Sequence, residues 1–480
     1  MSLVRLSPPP QRLLLPVVLS GTFVQLFSVT VMQVGVVDVQ RDLRAGPAET
    51  QLVLAAYTLT YACSLLVSAR LGEKYGYRGM FVTGMALFTA ASIGAAAAPD
   101  AWTLIAGRAL QGFGSGLMAP QILSLIQSAV PANRRPAALS AFGATMAAAS
   151  LAGPVLGGVL TQLNPLGLGW RAAMLLVVPV GITALLLSPT LPSARDDHEP
   201  QRVDPIGATL SLLGFALLVF PLTMGRETGW PPWTWASLAL AVASLTGFAV
   251  SQRRSAEPLV RPSTLAEPVT RWGLVVVLVF NAGVPSFTML LSMHLQGAKG
   301  WSPLQTGLSL TPYAVGALAG SRLASSRFGP RALAASSLAM ALVSAAVPVL
   351  IDHDDLLWLY WLALCAGGLA FGVFTASAFT QVIAKVRPEA APSVSGLLPT
   401  AQQLGGTLGV TFAGIAYTAP AASSGEALWH AMMYEAAVFA FAAVWAFGGR
   451  RVGAADGRKQ EDSGCPRGGS DDICLGRNGL

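Results

Sequence analysis

Charged and metal-binding side chains are scarce in this sequence. Lysine, arginine, aspartate and glutamate make up only 11% of its 480 residues, and histidine and cysteine occur four times each. A chain of this length built as soluble domains needs a larger polar surface, so that class of protein is excluded. The histidines are dispersed and the cysteines lack metal-ligand spacing, so we predict no metal site and no catalytic nucleophile. A glycine-rich phosphate loop with its lysine is lacking as well, so we predict no cofactor.

Apolar residues dominate the chain instead. Hydrophobic side chains make up 53% of the sequence, and its mean hydropathy is +0.58. A helix needs about 20 apolar residues to cross a bilayer. Fourteen stretches meet that length, at residues 13–37, 51–71, 81–98, 102–126, 137–160, 172–191, 205–224, 233–250, 272–294, 304–323, 332–351, 356–383, 396–419 and 428–447. The predicted fold class is therefore an all-α membrane protein with fourteen transmembrane helices.

The basic residues are distributed by side of the membrane. If the amino terminus is cytoplasmic, the cytoplasmic segments carry 24 lysines and arginines, the outer segments carry five, and Arg108 lies within a span. This asymmetry follows the positive-inside rule and predicts that both termini are cytoplasmic. The excess of arginine over lysine, 26 against 4, indicates a bacterial genome, so the predicted location is the bacterial plasma membrane. The basic residues are scattered rather than gathered in one patch, so the net charge of +7 does not indicate nucleic-acid binding.

The spans group into larger units along the chain. Residues 1–191 are predicted to form an amino-terminal six-helix half, 192–270 a central two-helix insertion, 271–447 a carboxy-terminal six-helix half, and 448–480 a disordered cytoplasmic tail. The first apolar run is too long for a signal peptide and no cleavage site follows it, so we expect it to remain as a helix. The lipid bilayer is the expected partner, and we expect a single chain to be functional.

Two ionisable side chains lie well inside predicted spans, where a charge is costly unless it is paired or hydrated. Arg108 lies in the fourth span, with Gln111 on the same helical face. It either lines a cavity or is buried to hold neighbouring helix ends together. Glu435 is the one carboxylate well inside a span, which suits a protonatable coupling group. The alternative is that Glu435 reaches toward the lipid headgroups or toward His430.

Glycine patterns indicate close packing and an internal repeat. The fifth span carries Gly153, Pro154, Gly157 and Gly158. These residues favour a pivot between two halves, although static glycine packing has the same pattern. The candidate gating residues lie in two basic turns, Arg70, Glu73, Lys74, Gly76 and Arg78 in the first, and Arg327, Gly329 and Arg331 in the second, 253 residues later. Their shared pattern indicates two similar halves, but two unrelated basic loops would also satisfy the charge asymmetry.

At these positions the sequence resembles the major facilitator superfamily, and within it the fourteen-helix drug:proton antiporter branch, over about residues 13–447. In the loop after the second span, Ala69 replaces the usual glycine and Glu73 the usual aspartate. The matching residues of the fourth and fifth spans are Arg108, Gln111, Gly112, Gly114, Gly116, Gly153, Pro154, Gly157 and Gly158. The resemblance implies two six-helix bundles with two inserted helices, driven by an ion gradient, most simply of protons.

One position of the first span departs from that branch. Its members commonly carry an acidic residue there, whereas this sequence has Ser28 at the corresponding position. The proton carrier that the resemblance implies is therefore absent. Coupling is predicted to have moved to Glu435 or to Asp38 near the outer end of the span, or the transporter uses a different ion.

These features together predict a secondary transporter rather than an enzyme. The resemblance implies export of a drug, antibiotic or secondary metabolite by proton antiport with alternating access. Polar contacts with the substrate are expected in a midplane cavity from Gln33, Arg108, Gln111, Asn281 and Gln403. Import of a metabolite by the same fold is one alternative, and a membrane-embedded sensor or enzyme is another.

Overall fold

The computed structural model describes residues 13–192, 204–225, 228–255, 258–260, 262–323, 330–385, 391–418 and 423–463. This part of the chain consists of α-helices with short connections and contains no strand. The helices are α1 (Leu14–Asp42), α2 (Pro47–Tyr75), α3 (Tyr77–Ala96), α4 (Ala101–Ala129), α5 (Arg135–Leu163), α6 (Trp170–Leu175), α7 (Val177–Leu187), α8 (Pro205–Met224), α9 (Pro232–Arg254), α10 (Pro262–Ala266), α11 (Pro268–Gly297), α12 (Pro303–Ser309), α13 (Thr311–Leu323), α14 (Pro330–Asp352), α15 (Leu357–Lys385), α16 (Ala391–Tyr417) and α17 (Ser424–Ser463).

The fourteen predicted spans are all helical. Each span is one helix, except that α6 and α7 form the sixth, α12 and α13 form the tenth, and the short α10 lies between spans. Proline explains both interruptions, because Pro179 and Pro312 cannot donate to the carbonyl oxygens four residues earlier. By length and composition alone, ten helices of the described chain can cross a bilayer. The all-α membrane fold is therefore confirmed.

Helix packing repeats between the two halves. In the first half α4 packs on α2 and α3, α5 packs on α1, and α7 packs on α3. In the second half α15 packs on α13 and α14, α16 packs on α11, and α17 packs on α14. The contacts between the halves are paired in the same way, since α5 meets α12 and α16 meets α2. The chain thus contains two copies of one six-helix arrangement.

The repeat extends to individual residues at an offset of 256 positions. In α4, Gly112 lies so close to the carbonyl oxygen of Tyr57 that a Cβ atom would overlap it. Gly368 and Tyr313 make the same close approach in the second half. The two helices that follow the outer turns also begin alike, because Glu49 accepts from the backbone N–H of Gly46 at 2.9 Å and Gln305 accepts from that of Ser302 at 2.8 Å. The predicted internal repeat therefore has a structural counterpart, with an offset three residues longer than the loop comparison indicated.

The inserted pair α8 and α9 lies at the edge of one seam between the halves. The hydroxyl groups of Ser237 and Ser244 on α9 donate to carbonyl oxygens of α8, at 3.0 and 2.9 Å. Helix α8 in turn contacts α2 and α16, one helix from each half. The seam between α5 and α12 has no such cover among the described residues. The insertion is thus attached to the transport bundle without interrupting either half.

Two predicted boundaries are corrected by the structure. Helix α11 begins at Pro268, before the predicted start of the second half at residue 271, because proline is well accommodated in the first turn of a helix. Helix α17 continues to Ser463, so helical structure extends past the predicted end of order at Phe447. Arginine, alanine, lysine and glutamate in 448–463 are good helix formers, and extending an existing helix requires no new nucleus. Residues 464–480 lie outside the described part.

Candidate functional site

The two halves meet most closely toward one side of the molecule, which is the outer side in the predicted topology. The side-chain amide of Gln296 on α11 donates to the carbonyl oxygen of Val34 on α1 at 2.8 Å. Gly158 at the outer end of α5 packs against the backbone of Pro303. At the equivalent position 256 residues later, Gly414 packs against Gln51. We name these three contacts, Val34 with Gln296, Gly158 with Pro303 and Gln51 with Gly414, the outer closure.

A single hydrogen bond between polar side chains joins the halves deeper in the described structure. The hydroxyl groups of Thr58 on α2 and Thr407 on α16 are 2.7 Å apart. The predicted substrate residues lie on the helices around it: Gln403 is one turn from Thr407 and half-buried, Asn281 is buried on α11, and Gln33 is half-buried on α1. Asn281 donates within its own helix, to the carbonyl oxygen of Val277 at 2.8 Å. Of the five predicted substrate residues, Arg108 and Gln111 are the two that are hydrogen-bonded to each other in the described structure.

Arg108 is the centre of a hydrogen-bond network inside the first half, and only 1% of it is exposed. Its Nη1 donates to the hydroxyl oxygen of Ser28 at 2.8 Å and to Oε1 of Gln111 at 3.0 Å, and its Nε donates to the carbonyl oxygen of Val53 at 3.3 Å. The guanidinium carbon also lies 4.4 Å from the centre of the Tyr57 ring, a distance that favours a cation–π interaction. The positive charge is held by neutral groups of α1, α2 and α4, and these helices are thereby tied together.

The network continues through residues that the sequence analysis did not single out. Gln111 donates onward to the hydroxyl oxygen of Ser92 on α3 at 2.8 Å, and the hydroxyl of Tyr57 lies 2.7 Å from that of Ser115. Gln25 on α1 donates to the Tyr61 hydroxyl. Tyr57 and Tyr313 are equivalent in the repeat, and each packs against a glycine of the facing helix, Gly112 and Gly368. This repeated pairing of tyrosine with glycine is the sequence signal that could have indicated these positions.

Glu435 has the opposite surroundings in the second half. It is 0% exposed on α17, and neither carboxyl oxygen has a hydrogen-bond partner in the described structure. Its neighbours are the hydroxyl group of Ser286 and the phenol rings of Tyr313 and Tyr434. The Ser286 hydroxyl already donates its single proton to the carbonyl oxygen of Ala282 at 2.8 Å. A carboxyl group in its protonated form could donate to Ser286, whereas a carboxylate would depend on the tyrosine hydroxyl groups for donors, of which that of Tyr313 has no partner in the described structure.

The alternative placement of Glu435, in which it reaches the headgroups or His430, is wrong. His430 lies instead beside Glu426, with 4.0 Å between Nε2 and Oε1, and both are partly exposed at the outer start of α17. Glu435 is eleven residues from Ser424, which places it about 16 Å along the helix axis. Helix α17 is not peripheral either, since it packs on α11 and α14, and this packing buries the carboxyl group.

Asp38, the second predicted coupling residue, lies in the last two turns of α1. One of its carboxyl oxygens is buried without a hydrogen-bond partner, and Arg41 lies one turn further on. The neighbouring Asp42 is engaged differently, since it accepts from the indole N–H of Trp170 at 3.0 Å and pairs with Arg171. Asp38 thus remains a candidate coupling residue at the outer end of the first half.

The predicted gating turn connects α2 and α3. Gly76 stands between the two helices with a φ of 91°, a conformation that side-chain-bearing residues rarely adopt. Arg70 donates to the carbonyl oxygen of Pro258 at 3.1 Å and Arg78 to that of Leu191 at 3.4 Å, so the turn holds the segments that flank the inserted helices. Glu73 and Lys74 lie in the last turn of α2. Arg331 is exposed at the start of α14, and Arg327 and Gly329 lie outside the described residues.

The glycines of α5 bring three helices together. Gly153 and Gly157 pack on Thr30 and Val31 of α1, and Gly158 packs on Pro303 of the other half. In return, Gly307 on α12 lies against the carbonyl oxygen of Pro154. Side chains at Gly158 and Gly307 would separate the halves, and side chains at Gly153 and Gly157 would separate α5 from α1, so the glycines are required for the close approach seen here.

The family of the chain follows from comparison with known proteins. The model of the Major Facilitator Superfamily matches residues 18–410. The chain belongs to the major facilitator superfamily. Two solved structures of low sequence identity share the fold: a peptide transporter POT in complex with sulfate, with a TM-score of 0.66, 17% identity and coverage of 92% of this chain and 95% of that one, and the inward-open xylose transporter of E. coli, with a TM-score of 0.62, 14% identity and coverage of 91% and 95%.

Curated relatives align over most of this major facilitator protein. A probable actinorhodin transporter of Streptomyces coelicolor is 34% identical, covering 85% of this chain and 73% of its own length. The puromycin resistance protein of Streptomyces alboniger is 32% identical, with 84% and 81% covered. The tetracenomycin C resistance and export protein of Streptomyces glaucescens is 27% identical, with 85% and 76% covered. The protein is therefore a multi-pass membrane transporter and not an enzyme.

Proposed function

We propose that this transporter exports antibiotic-like small molecules from the cytoplasm in exchange for protons. The observation that carries the proposal is that three relatives, each aligned over more than four fifths of this chain, bear the names of antibiotic transport or resistance proteins. The antiporter pattern of α5 supports the same direction of transport. No cofactor takes part, and the ion gradient across the membrane supplies the energy.

Glu435 is the proposed proton carrier. A coupling group must exist in two protonation states during the cycle, and a carboxyl group held among neutral hydroxyl groups can bind a proton without breaking an ion pair. Ser286 and Tyr313, on two other helices of the same half, surround it. Loss or gain of this proton changes the charge inside the second half and thus its packing against the first. Asp38 is the second candidate, because one of its oxygens is also buried without a partner.

The proposed transport cycle is alternating access. The outer closure joins the halves on one side, and the Thr58–Thr407 pair joins them near the middle. We place the substrate on the inner side of this pair, where Gln403 is partly exposed one turn from Thr407. Arg108 acts mainly through the network that shapes this wall of the first half. Rocking of the two six-helix halves then transfers the substrate to the outer side.

The predicted topology places the inner side in the cytoplasm of a bacterium. Both termini are cytoplasmic in this proposal, and one chain forms the complete transport unit within the lipid bilayer. Fusion of a reporter that is fluorescent only in the cytoplasm to residue 480 tests the orientation. A fluorescent carboxy-terminal fusion is expected, and a dark fusion protein that is nevertheless inserted would overturn the topology.

Everted membrane vesicles test the proposed exchange. Respiration acidifies their lumen and quenches an acridine dye, and an exported substrate should release protons and restore the fluorescence. Puromycin, tetracenomycin C and methylenomycin A form the first panel of substrates, since relatives of this chain bear their names. Glu435→Gln should retain substrate binding but show no proton release.

Glu426→Gln is the matched control for this experiment, because Glu426 lies on the same helix but is exposed. It should behave like the wild type. Normal proton release by Glu435→Gln would reject Glu435 as the carrier and direct the test to Asp38→Asn. Accumulation of a panel compound only when the gradient is reversed would instead favour the importer.

A further inference from the structure

The last turn of α11 carries a histidine that the proposed cycle does not use. His294 is only 1% exposed, and neither nitrogen of its ring has a hydrogen-bond partner in the described structure. Its backbone carbonyl oxygen accepts from the N–H groups of Ala298 and Lys299, at 2.9 and 3.1 Å, and so ends the helix. A buried imidazole with both nitrogens free can bind a proton without first giving up another contact.

The same turn holds the hydrogen bond of the outer closure. Gln296, two residues after His294, donates through its side-chain amide to the carbonyl oxygen of Val34 on α1. The backbone carbonyl oxygen of Gln296 accepts from Arg41 at 3.5 Å. These contacts join the second half to the first at the outer end. A change in the conformation of this turn therefore acts directly on the contact between the halves.

The charges around His294 connect its protonation to this turn. Lys299, which follows the end of α11, forms an ion pair of 3.3 Å with Asp352 at the end of α14, and both act electrostatically on His294. The other titratable groups on α1 and α17, which pack against α11, have different neighbours. On α1, Asp38 lies near Arg41, and on α17, Glu426 lies beside His430 and Glu435 beside Ser286.

We propose that His294 is a second proton-binding site, filled from the outer side, whose protonation opens the outer closure. The proposal rests on the proton exchange proposed above and assigns where the outer proton first acts. One proton from water binds the free nitrogen of the imidazole. The resulting cation attracts Asp352 and repels Lys299, so the ion pair at the end of α11 is weakened. The turn rearranges and Gln296 releases Val34, and loss of the proton restores the closed contact.

Distance measurements between the halves test this proposal without any substrate. Spin labels are attached to Arg44→Cys in the first half and Ser424→Cys in the second, both exposed at the outer side, with the four native cysteines replaced by alanine. Lowering the pH from 8 to 5.5 should raise the long-distance population about threefold to tenfold, the effect of one hydrogen bond on a two-state equilibrium. His294→Gln should stay closed at both pH values.

Three further variants decide between explanations. His430→Gln, which changes an exposed histidine of the same half, should respond like the parent protein. Gln296→Ala should be open at both pH values, and it tests the contact even if His294→Gln does not fold. Glu435→Gln should keep the pH response, which separates this proposal from the one on Glu435. A normal pH response in folded His294→Gln, or none in the parent protein, would overturn the assignment.

Discussion

Arg108 in the first half and Glu435 in the second half are both fully buried, and their surroundings are opposite. Arg108 in the first half donates to side-chain and backbone oxygens of α1, α2 and α4. Glu435 in the second half has no hydrogen-bond partner for either oxygen in the described structure. The first arrangement holds a fixed charge and rigidifies its surroundings, whereas the second leaves a group whose charge can change. The proposed proton exchange uses both arrangements, a rigid first half and a carboxyl group in the second half that binds and releases the proton.

The two halves differ at these charged residues and not in the packing of their helices. At the repeat offset of 256 residues, the counterpart of Arg108 is Leu364, which is fully buried, and the counterpart of Glu435 is Pro179. The glycine contacts and the capping residues, in contrast, are repeated in both halves. The two copies have thus kept the residues that fix helix packing and have diverged at the residues that carry charge.

Arg108→Met should produce the largest effect. The substitution keeps an apolar side chain of similar length but leaves Ser28, Gln111 and the Val53 carbonyl oxygen without their donor. Because buried polar groups without partners cost about 1–3 kcal/mol each, we expect a loss of about 3 kcal/mol or more of stability. The midpoint of thermal unfolding in detergent measures it. Arg134→Met changes an exposed arginine and serves as the control, and an unchanged midpoint for Arg108→Met would show that the network does not hold the first half together.

Ser28 lies at the position where the branch carries an acidic residue, and its contact with Arg108 predicts the next largest effect. Ser28→Ala removes a hydrogen bond to a charged group and should cost about 1.5–3 kcal/mol in the same unfolding assay. Ser28→Asp places a carboxylate beside the guanidinium, and pairing should offset the cost of burying the new charge to within about 1 kcal/mol. If Ser28→Asp were the more damaging of the two, the guanidinium would not be accessible from this position as the structure places it.

The sequence predicts the helices well because their signal is local. Length, apolar content and charge asymmetry identify all fourteen spans, and the prolines and glycines within them are visible in the sequence. The surroundings of the two buried charges are not local. That Arg108 meets Ser28, 80 positions away, and that Glu435 faces Ser286 on another helix follow only from packing. The sequence alone leaves two alternatives open for each of these residues, because it lacks this information.

The importance of the residues around the outer closure could likewise not be predicted from the sequence alone. Gln296 and His294 lie in an apolar run with no sequence motif, and their significance appears only when α11 is placed against α1 and α14. Gly158 was recognisable from its motif, but Gly414 became its counterpart only through the repeat offset that the packed helices define. Motifs therefore indicated one copy of each contact, and the three-dimensional repeat supplied the other.

Glu435→Met should change stability in the opposite direction to Arg108→Met. Replacing an unpartnered buried carboxyl group with an apolar side chain removes a desolvation cost, so we expect a gain of about 1–3 kcal/mol together with the loss of proton release. Thermal unfolding in detergent measures the first effect and the vesicle assay the second. Glu426→Met, at an exposed position of the same helix, should leave both unchanged. Destabilisation by Glu435→Met as large as that by Arg108→Met would mean that Glu435 has a stabilising partner and that the two halves are alike.

The outer ion pairs should show the smallest difference between the halves. Asp42 pairs with Arg171 in the first half and Asp352 with Lys299 in the second, and all four side chains are partly exposed. Exposed pairs contribute less than about 1 kcal/mol, so Asp42→Asn and Asp352→Asn should each lower the unfolding midpoint only slightly. Their conformational effects should nevertheless differ, because only Asp352 acts on His294. In the spin-label experiment, Asp352→Asn should reduce the response to pH, whereas Asp42→Asn should leave it intact. Equal responses of the two variants would show that the charge on His294 acts on the outer closure by another route.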